Sequence, residues 1–153
     1  MAGNFEGPAV ITPALLAYQG QYANHGNTPM PAEAFTIISY AATIFSLGLG
    51  LFGLIRPQGA LDLVGLQTVP GLAHSISEVR ATYGGFFTGV SLYPLISGEP
   101  HAFLTLALGW MLAGFCRLCS AILEGAMTRF NITSIAIEFA TGTLIALPHL
   151  GRL

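Results

Sequence analysis

Among the ionisable side chains within or beside the long apolar stretches, five fall at a similar depth: Glu78, Arg80, Arg117, Glu124 and Glu138. Arg117 is the most unusual of them, because it interrupts the apolar run of residues 101–123 about two turns before its end. A guanidinium in hydrocarbon costs at least about 2.5 to 3.5 kcal/mol on insertion scales. Arg117 should therefore face a carboxylate, a polar cavity or a partner protein rather than lipid.

The position of Glu138 makes it the expected partner of Arg117. Arg117 precedes the end of one apolar run by six residues, and Glu138 follows the start of the next run, at Asn131, by seven residues. At about 1.5 Å per residue, both side chains lie roughly 10 Å from the loop that joins the two runs. We therefore expect the two to meet at one level of the membrane.

The other three charged residues, Glu78, Arg80 and Glu124, fall near the same membrane surface. Together the five predict a polar layer of two guanidiniums and three carboxylates, in which each arginine has a carboxylate to pair with. Three roles are open for this layer. It could fix the register of the helices, bind a headgroup, a quinone-like carbonyl or protons, or contact another subunit.

Composition points to a membrane. The chain has 153 residues, of which 53% are hydrophobic and 8% are charged, whereas roughly a quarter of the residues in a soluble protein are charged. Its mean hydropathy is +0.67. All five basic residues are arginines, and they are scattered along the chain. No basic patch is present, which excludes a nucleic-acid partner.

Four apolar stretches predict an all-α fold, a four-transmembrane-helix up-and-down bundle over residues 34–153. The spans fall at about residues 34–55, 77–97, 102–123 and 131–147. Short connections on both sides of the third span favour antiparallel neighbours. Residues 1–33 form an N-terminal arm, irregular or interfacial, because its apolar piece is too short to cross a bilayer. We expect an integral protein of a bacterial inner membrane or an organellar inner membrane.

Small residues recur every three or four positions along the first span and form a narrow stripe: Ser39, Ala42, Ser46, Gly50 and Gly53. Such a stripe allows another helix to approach closely, which is a main source of helix association in lipid. Gly84 in the second span offers a similar surface. The partner of the stripe could be a helix of the same chain or one of another subunit.

The string Ser77-Glu78-Val79-Arg80-Ala81-Thr82-Tyr83-Gly84-Gly85, followed by Gly114 and Arg117 on the third span, resembles a family of small bacterial integral membrane proteins. Members of that family are classed only as a domain of unknown function with four predicted transmembrane helices. The resemblance covers about residues 35–147. It implies a four-helix membrane fold and a role for Glu78, Arg80 and Arg117, and it implies no reaction.

Sites for a metal, a cofactor or catalysis are not predicted. Cys116 and Cys119 form a C-x-x-C inside a span, but no second cysteine pair could complete a zinc or iron site. His101 and His149 fall on the same membrane face as Glu99, and such a pair of ligands specifies little. A nucleophile with a base and a phosphate-binding loop are both missing, so we expect a protein that is not an enzyme.

Two functions remain. The first is an accessory or assembly subunit of a larger membrane complex, whose partners would be membrane lipids and other membrane protein subunits. The second is a small transporter or a lipid- or quinone-binding membrane protein that uses the Arg/Glu layer. The first rests on the small-residue stripe, the low charge and the N-terminal arm, and the second rests on the charged layer itself.

Overall fold

The computed structural model describes residues 32–152, and every regular element among them is helical, which confirms the all-α class. Residues 1–31 of the predicted arm lie outside the described part of the chain. The elements in order are α1 (Ala32–Ile55), α2 (Pro57–Val64), α3 (Ser75–Val79), a π-helical segment (Arg80–Phe86), α4 (Phe87–Ser97), α5 (Pro100–Leu123), α6 (Arg129–Ala146) and a 3₁₀ turn (Leu150–Arg152).

Two of the described helices are long and apolar enough to cross a membrane, Glu33–Ile55 and Pro100–Leu123. They correspond to the first and third predicted spans. The second predicted span consists of α3, the π-helical segment and α4, which follow one another without a break. The fourth is α6, whose 18 residues include Glu138 and several hydroxyl side chains that lower its hydropathy. Length and composition therefore support two of the four predicted spans.

The four long helical stretches form a ring in chain order. The stretch from α3 to α4 packs closely on α1, and α5 packs most extensively on α6, which also contacts α1. The ring closes between α4 and α5, which share few contacts even though only a tight turn connects them. That turn contains Gly98 in the left-handed conformation, with φ of +67°. The seam between α4 and α5 is therefore the loosest in the ring.

The small-residue stripe packs against a helix of the same chain. A Cβ atom added at Gly50 would lie 2.5 Å from the backbone nitrogen of Thr88, and one added at Gly84 would lie 2.8 Å from the Cα of Leu54. Such distances mean that the two backbones are in contact. The predicted helix-packing residues are all buried, namely Ser39, Ala42, Ser46, Gly50, Gly53 and Gly84.

The packed core occupies the half of the ring nearer to the Gly98 turn. Phe103 of α5 and Ile145 of α6 are fully buried there. Three serine side chains between the helices are buried and hydrogen-bonded. Ser39 donates to the carbonyl of Ile145 at 2.9 Å, and the hydroxyls of Ser46 and Ser91 lie 2.8 Å apart. In the other half of the ring, where Arg117 lies, a cavity separates the helices.

Candidate functional site

Arg117 of α5 forms an ion pair with Glu138 of α6, as the argument from depth predicted. Its Nε lies 3.0 Å from Oε1 and 3.1 Å from Oε2, and its Nη2 donates to Oε1 at 2.8 Å. The guanidinium thus binds both carboxylate oxygens through one edge, the strong geometry for such a pair. The side chain of Glu138 is 9% exposed and that of Arg117 is 32% exposed. The carboxylate is therefore enclosed, while part of the arginine remains open.

Glycines bring the two helices close enough for this pair to form. Gly114 lies one turn before Arg117, and a Cβ atom there would lie 3.2 Å from the Cβ of Glu138. Gly142 lies one turn after Glu138, and a Cβ atom there would lie 2.8 Å from the Cγ of Met111. Because both positions lack side chains, α6 approaches α5 closely on either side of the carboxylate.

A cavity of about 580 Å³ lies beside the ion pair, which we call the inner cavity. All of the long stretches and α2 contribute to it, and its walls are mainly aromatic and aliphatic. Its lining comprises Phe45, Leu49, Phe52, Ala60, Leu63, Val64, Tyr83, Phe87, Gly109, Trp110, Ala113, Arg117, Phe130, Thr133, Ser134, Ile137 and Glu138. A cavity of this volume, apolar with a few convergent polar groups, is typical of small-molecule sites.

The polar groups gather at one end of the inner cavity. Thr133 and Ser134 line it together with the ion pair, whereas Trp110 lies on α5 about two turns, or roughly 10 Å, before Arg117. Among the described residues, Nη1 of Arg117 has no hydrogen-bond acceptor. Since a guanidinium carries five N–H donors, Arg117 keeps unused donors beside the apolar cavity that it lines.

A second cavity, of about 830 Å³, lies between α4 and α5, and we call it the seam cleft. Phe87, Gly109 and Trp110 line both cavities. Glu99 and His101 lie among the residues that line the seam cleft. The cleft exists because α4 and α5 form the loosest contact in the ring.

The structure does not join the other three residues of the predicted polar layer to the ion pair. Arg80 donates from Nε to the carbonyl of Leu54 at 3.4 Å, near the end of α1. Glu124 accepts a hydrogen bond from Ser120 of its own helix at 3.1 Å, and Glu78 is exposed. Within residues 32–152 only Arg117 and Glu138 form a salt bridge. Arg80 lies on a helical stretch that packs against α1, so its side chain contacts the end of α1 rather than α5.

The residues weighed as metal ligands are not assembled into a site. His149 is buried, stacks on Phe103 with 4.3 Å between ring centroids, and lies 3.2 Å through Nε2 from the hydroxyl of Ser39. Cys116 and Cys119 are free thiols. In the described part of the chain, no three of the histidine, cysteine, aspartate and glutamate side chains are grouped as metal ligands.

Sequence reasoning missed most of the inner cavity. Trp110 is the only tryptophan in the chain, and it lies within an apolar run where nothing distinguishes it from a lipid-facing residue. Tyr83 belongs to the string that carries the family resemblance, and it lines the cavity from the π-helical segment. The short helix α2 lines one side of the cavity with Ala60, Leu63 and Val64.

A family model described as "Domain of unknown function (DUF4345)" matches residues 34–149. No curated protein and no solved structure matches the chain. The expected match to a family of unknown function is thereby confirmed. The bacterial origin and the membrane location that the resemblance implied stay predictions.

Proposed function

The chain belongs to the DUF4345 family, and we propose that this member is a membrane protein that binds a lipid-soluble molecule in its inner cavity. The observation that carries the proposal is the unused donor edge of Arg117 at the polar end of an apolar cavity. A hydrogen-bond acceptor on the ligand would occupy that edge. The apolar remainder of the ligand would lie against the aromatic walls.

Exposure of apolar side chains supports a location in the membrane. In α1 and α5, 28% of the most apolar window is buried inside the chain, whereas a core helix of a soluble protein would be mostly buried. Ile37, Leu108 and Phe115 are more than half exposed. Large apolar side chains exposed in such numbers face either lipid or another protein. We propose that all four long stretches cross the bilayer and that lipid covers these side chains.

The charge balance of the site favours a neutral ligand. Glu138 already neutralises Arg117, so an anionic ligand would leave a net negative charge in a medium of low dielectric constant, which is costly. A carbonyl oxygen accepts a hydrogen bond from Nη1 and adds no charge. The shared chemistry is therefore a neutral lipid that carries a carbonyl group, and its two natural sources are a quinone and a glyceride ester.

The single tryptophan provides a direct test. Because Trp110 lines the inner cavity and is the only indole, a benzoquinone with a short tail should quench the protein's fluorescence saturably when it binds. Diacylglycerol, which does not quench, should then be added as a competitor. If diacylglycerol displaces the quinone, the natural ligand is a glyceride. If diacylglycerol does not compete, the natural ligand is a quinone. Quenching that rises linearly without saturation would contradict the proposal.

A double variant separates binding from folding. Arg117→Leu combined with Glu138→Leu removes the donor edge and leaves neither charge unpaired, so the chain should stay folded. Hydrogen bonds to charged groups contribute about 1.5 to 3 kcal/mol, so quinone affinity should fall by about tenfold or more. Arg56→Leu is the matched control, because Arg56 is an exposed arginine that does not line the cavity. Equal affinity in the double variant and the control would overturn the role of Arg117.

The accessory-subunit function stays a prediction with weaker support. Its strongest structural argument was the small-residue stripe, which packs within the chain. Its other argument, the N-terminal arm, falls on residues 1–31 outside the described part. Among the described residues, the surface left for another membrane subunit consists of exposed apolar side chains. Lipid would cover these side chains equally well.

A further inference from the structure

The inner cavity and the seam cleft meet at one position on α5. Gly109 lines both of them, and so do its neighbour Trp110 and Phe87 across the seam. A Cβ atom added at Gly109 would meet nothing within 4 Å. The two cavities therefore adjoin at Gly109, beside the ring of Trp110, where no side chain fills the space.

The seam cleft leads from this junction to the outside of the helix ring. Val90 and Leu106 line it with apolar surface, while Phe86 and Tyr93 at its edges are 64% and 61% exposed. Because α4 and α5 share few contacts, nothing in the described residues closes the cleft on the lipid side. A flexible apolar chain that leaves the inner cavity could thus continue into the bilayer.

The combined length suits a long tail. The residues that line the two cavities on α5 extend from His101 to Arg117, which corresponds to about 24 Å at about 1.5 Å per residue. A head held by Arg117 occupies only the inner end of this path. A ligand consisting of a head alone would leave the aromatic and aliphatic walls of the seam cleft uncovered.

We propose that the ligand of this site is a long-chain lipid whose neutral carbonyl head binds Arg117 and whose tail passes Gly109 into the seam cleft. This inference rests on the proposed function and specifies the class of ligand. It makes Gly109 the position that selects for tail length, since a side chain there would enter the junction. Leucine at this position would close the path while leaving the donor edge of Arg117, about 12 Å away along α5, unchanged.

The test compares two quinones, one with a single isoprene unit and one with a long polyprenyl tail, on Gly109→Leu. We expect the long-tailed quinone to lose at least about tenfold more affinity than the short-tailed quinone, because only the long tail makes apolar contacts in the cleft beyond Gly109. Gly48→Leu is the matched control, since Gly48 is also a helical glycine with open space around it but lines neither cavity. This control should leave both affinities unchanged.

The outcomes distinguish the two proposals. If Gly109→Leu changes neither affinity, or lowers both equally, the tail path is overturned and the head site stands. If neither quinone binds the unmodified protein saturably, the proposed function itself fails. If Gly109→Leu does not fold, Gly89→Leu narrows the same cleft from α4, where an added Cβ atom also meets nothing within 4 Å. An unchanged preference for the long tail in that variant would equally overturn the inference.

Discussion

The indole of Trp110 donates a hydrogen bond from Nε1 to the hydroxyl oxygen of Ser46 at 3.0 Å. This bond joins α5 to α1. It holds the indole at the boundary between the packed core and the inner cavity. Ser46 also lies 2.8 Å from the hydroxyl of Ser91 on α4. Since Ser46 accepts from Trp110, its own proton is available to Ser91, and three helices are connected through a single hydroxyl.

Replacing Ser46 should therefore cost more than replacing Ser91. Ser46→Ala leaves the buried N–H of Trp110 without its acceptor, and such an unsatisfied group costs about 1 to 3 kcal/mol. Ser91→Ala removes one partner and leaves the bond to Trp110 intact. Thermal unfolding in detergent, followed by Trp110 fluorescence, measures both effects. Equal midpoints for the two variants would show that the indole does not depend on Ser46.

The ion pair should behave as a coupled unit in a double-mutant cycle. Arg117→Leu alone leaves the enclosed carboxylate of Glu138 unpaired, which should cost about 3 kcal/mol. Adding Glu138→Leu removes the unpaired charge and should recover most of that loss. The free energy of unfolding of the two single variants and the double variant gives the coupling. Additive losses would show that the two side chains act independently.

Alanine at the contact between α1 and the π-helical segment should destabilise the protein. A Cβ atom at Gly53 would lie 2.9 Å from the carbonyl carbon of Tyr83, and neither backbone can move without shifting a helix. Overpacking of this kind costs about 1 to 3 kcal/mol. Gly89→Ala is the control, because the added Cβ atom meets open space. Alanine favours the helix over glycine by up to about 1 kcal/mol, so this variant should not be destabilised. A lower unfolding midpoint for Gly89→Ala than for Gly53→Ala would contradict the packing argument.

Charged residues outside the ion pair should not affect the site. Arg80 and Glu124 are exposed, and their hydrogen bonds go to Leu54 and Ser120 rather than to Arg117. Arg80→Leu and Glu124→Leu should each change stability by no more than about 0.5 kcal/mol and leave quinone affinity unchanged. Fluorescence titration of both variants checks this. A loss of binding in either would restore the larger layer predicted from the sequence.

Features that depend on position along a helix could be predicted from the amino-acid sequence. Arg117 and Glu138 were expected to meet because rise per residue places both at one depth, and an arginine in an apolar run requires a partner. The small-residue stripe on α1 was expected to form a close contact, because glycine and serine permit one wherever the partner lies. Both inferences use distance along the chain and the chemistry of single residues.

The rotation of each helix about its own axis depends on how all the helices pack together. α1 and α5 are apolar on almost every side, so apart from the small-residue stripe and Arg117 their sequences mark no face as pointing inward. The rotation of α1 turns the stripe toward the helical stretch of α3 to α4, and the rotation of α5 places Trp110 at the boundary of two cavities. The packing of the π-helical segment on α1 directs Arg80 to α1 instead of α5. A cavity is bounded by residues from every helix at once, and its existence depends on a packing arrangement that no single apolar segment specifies.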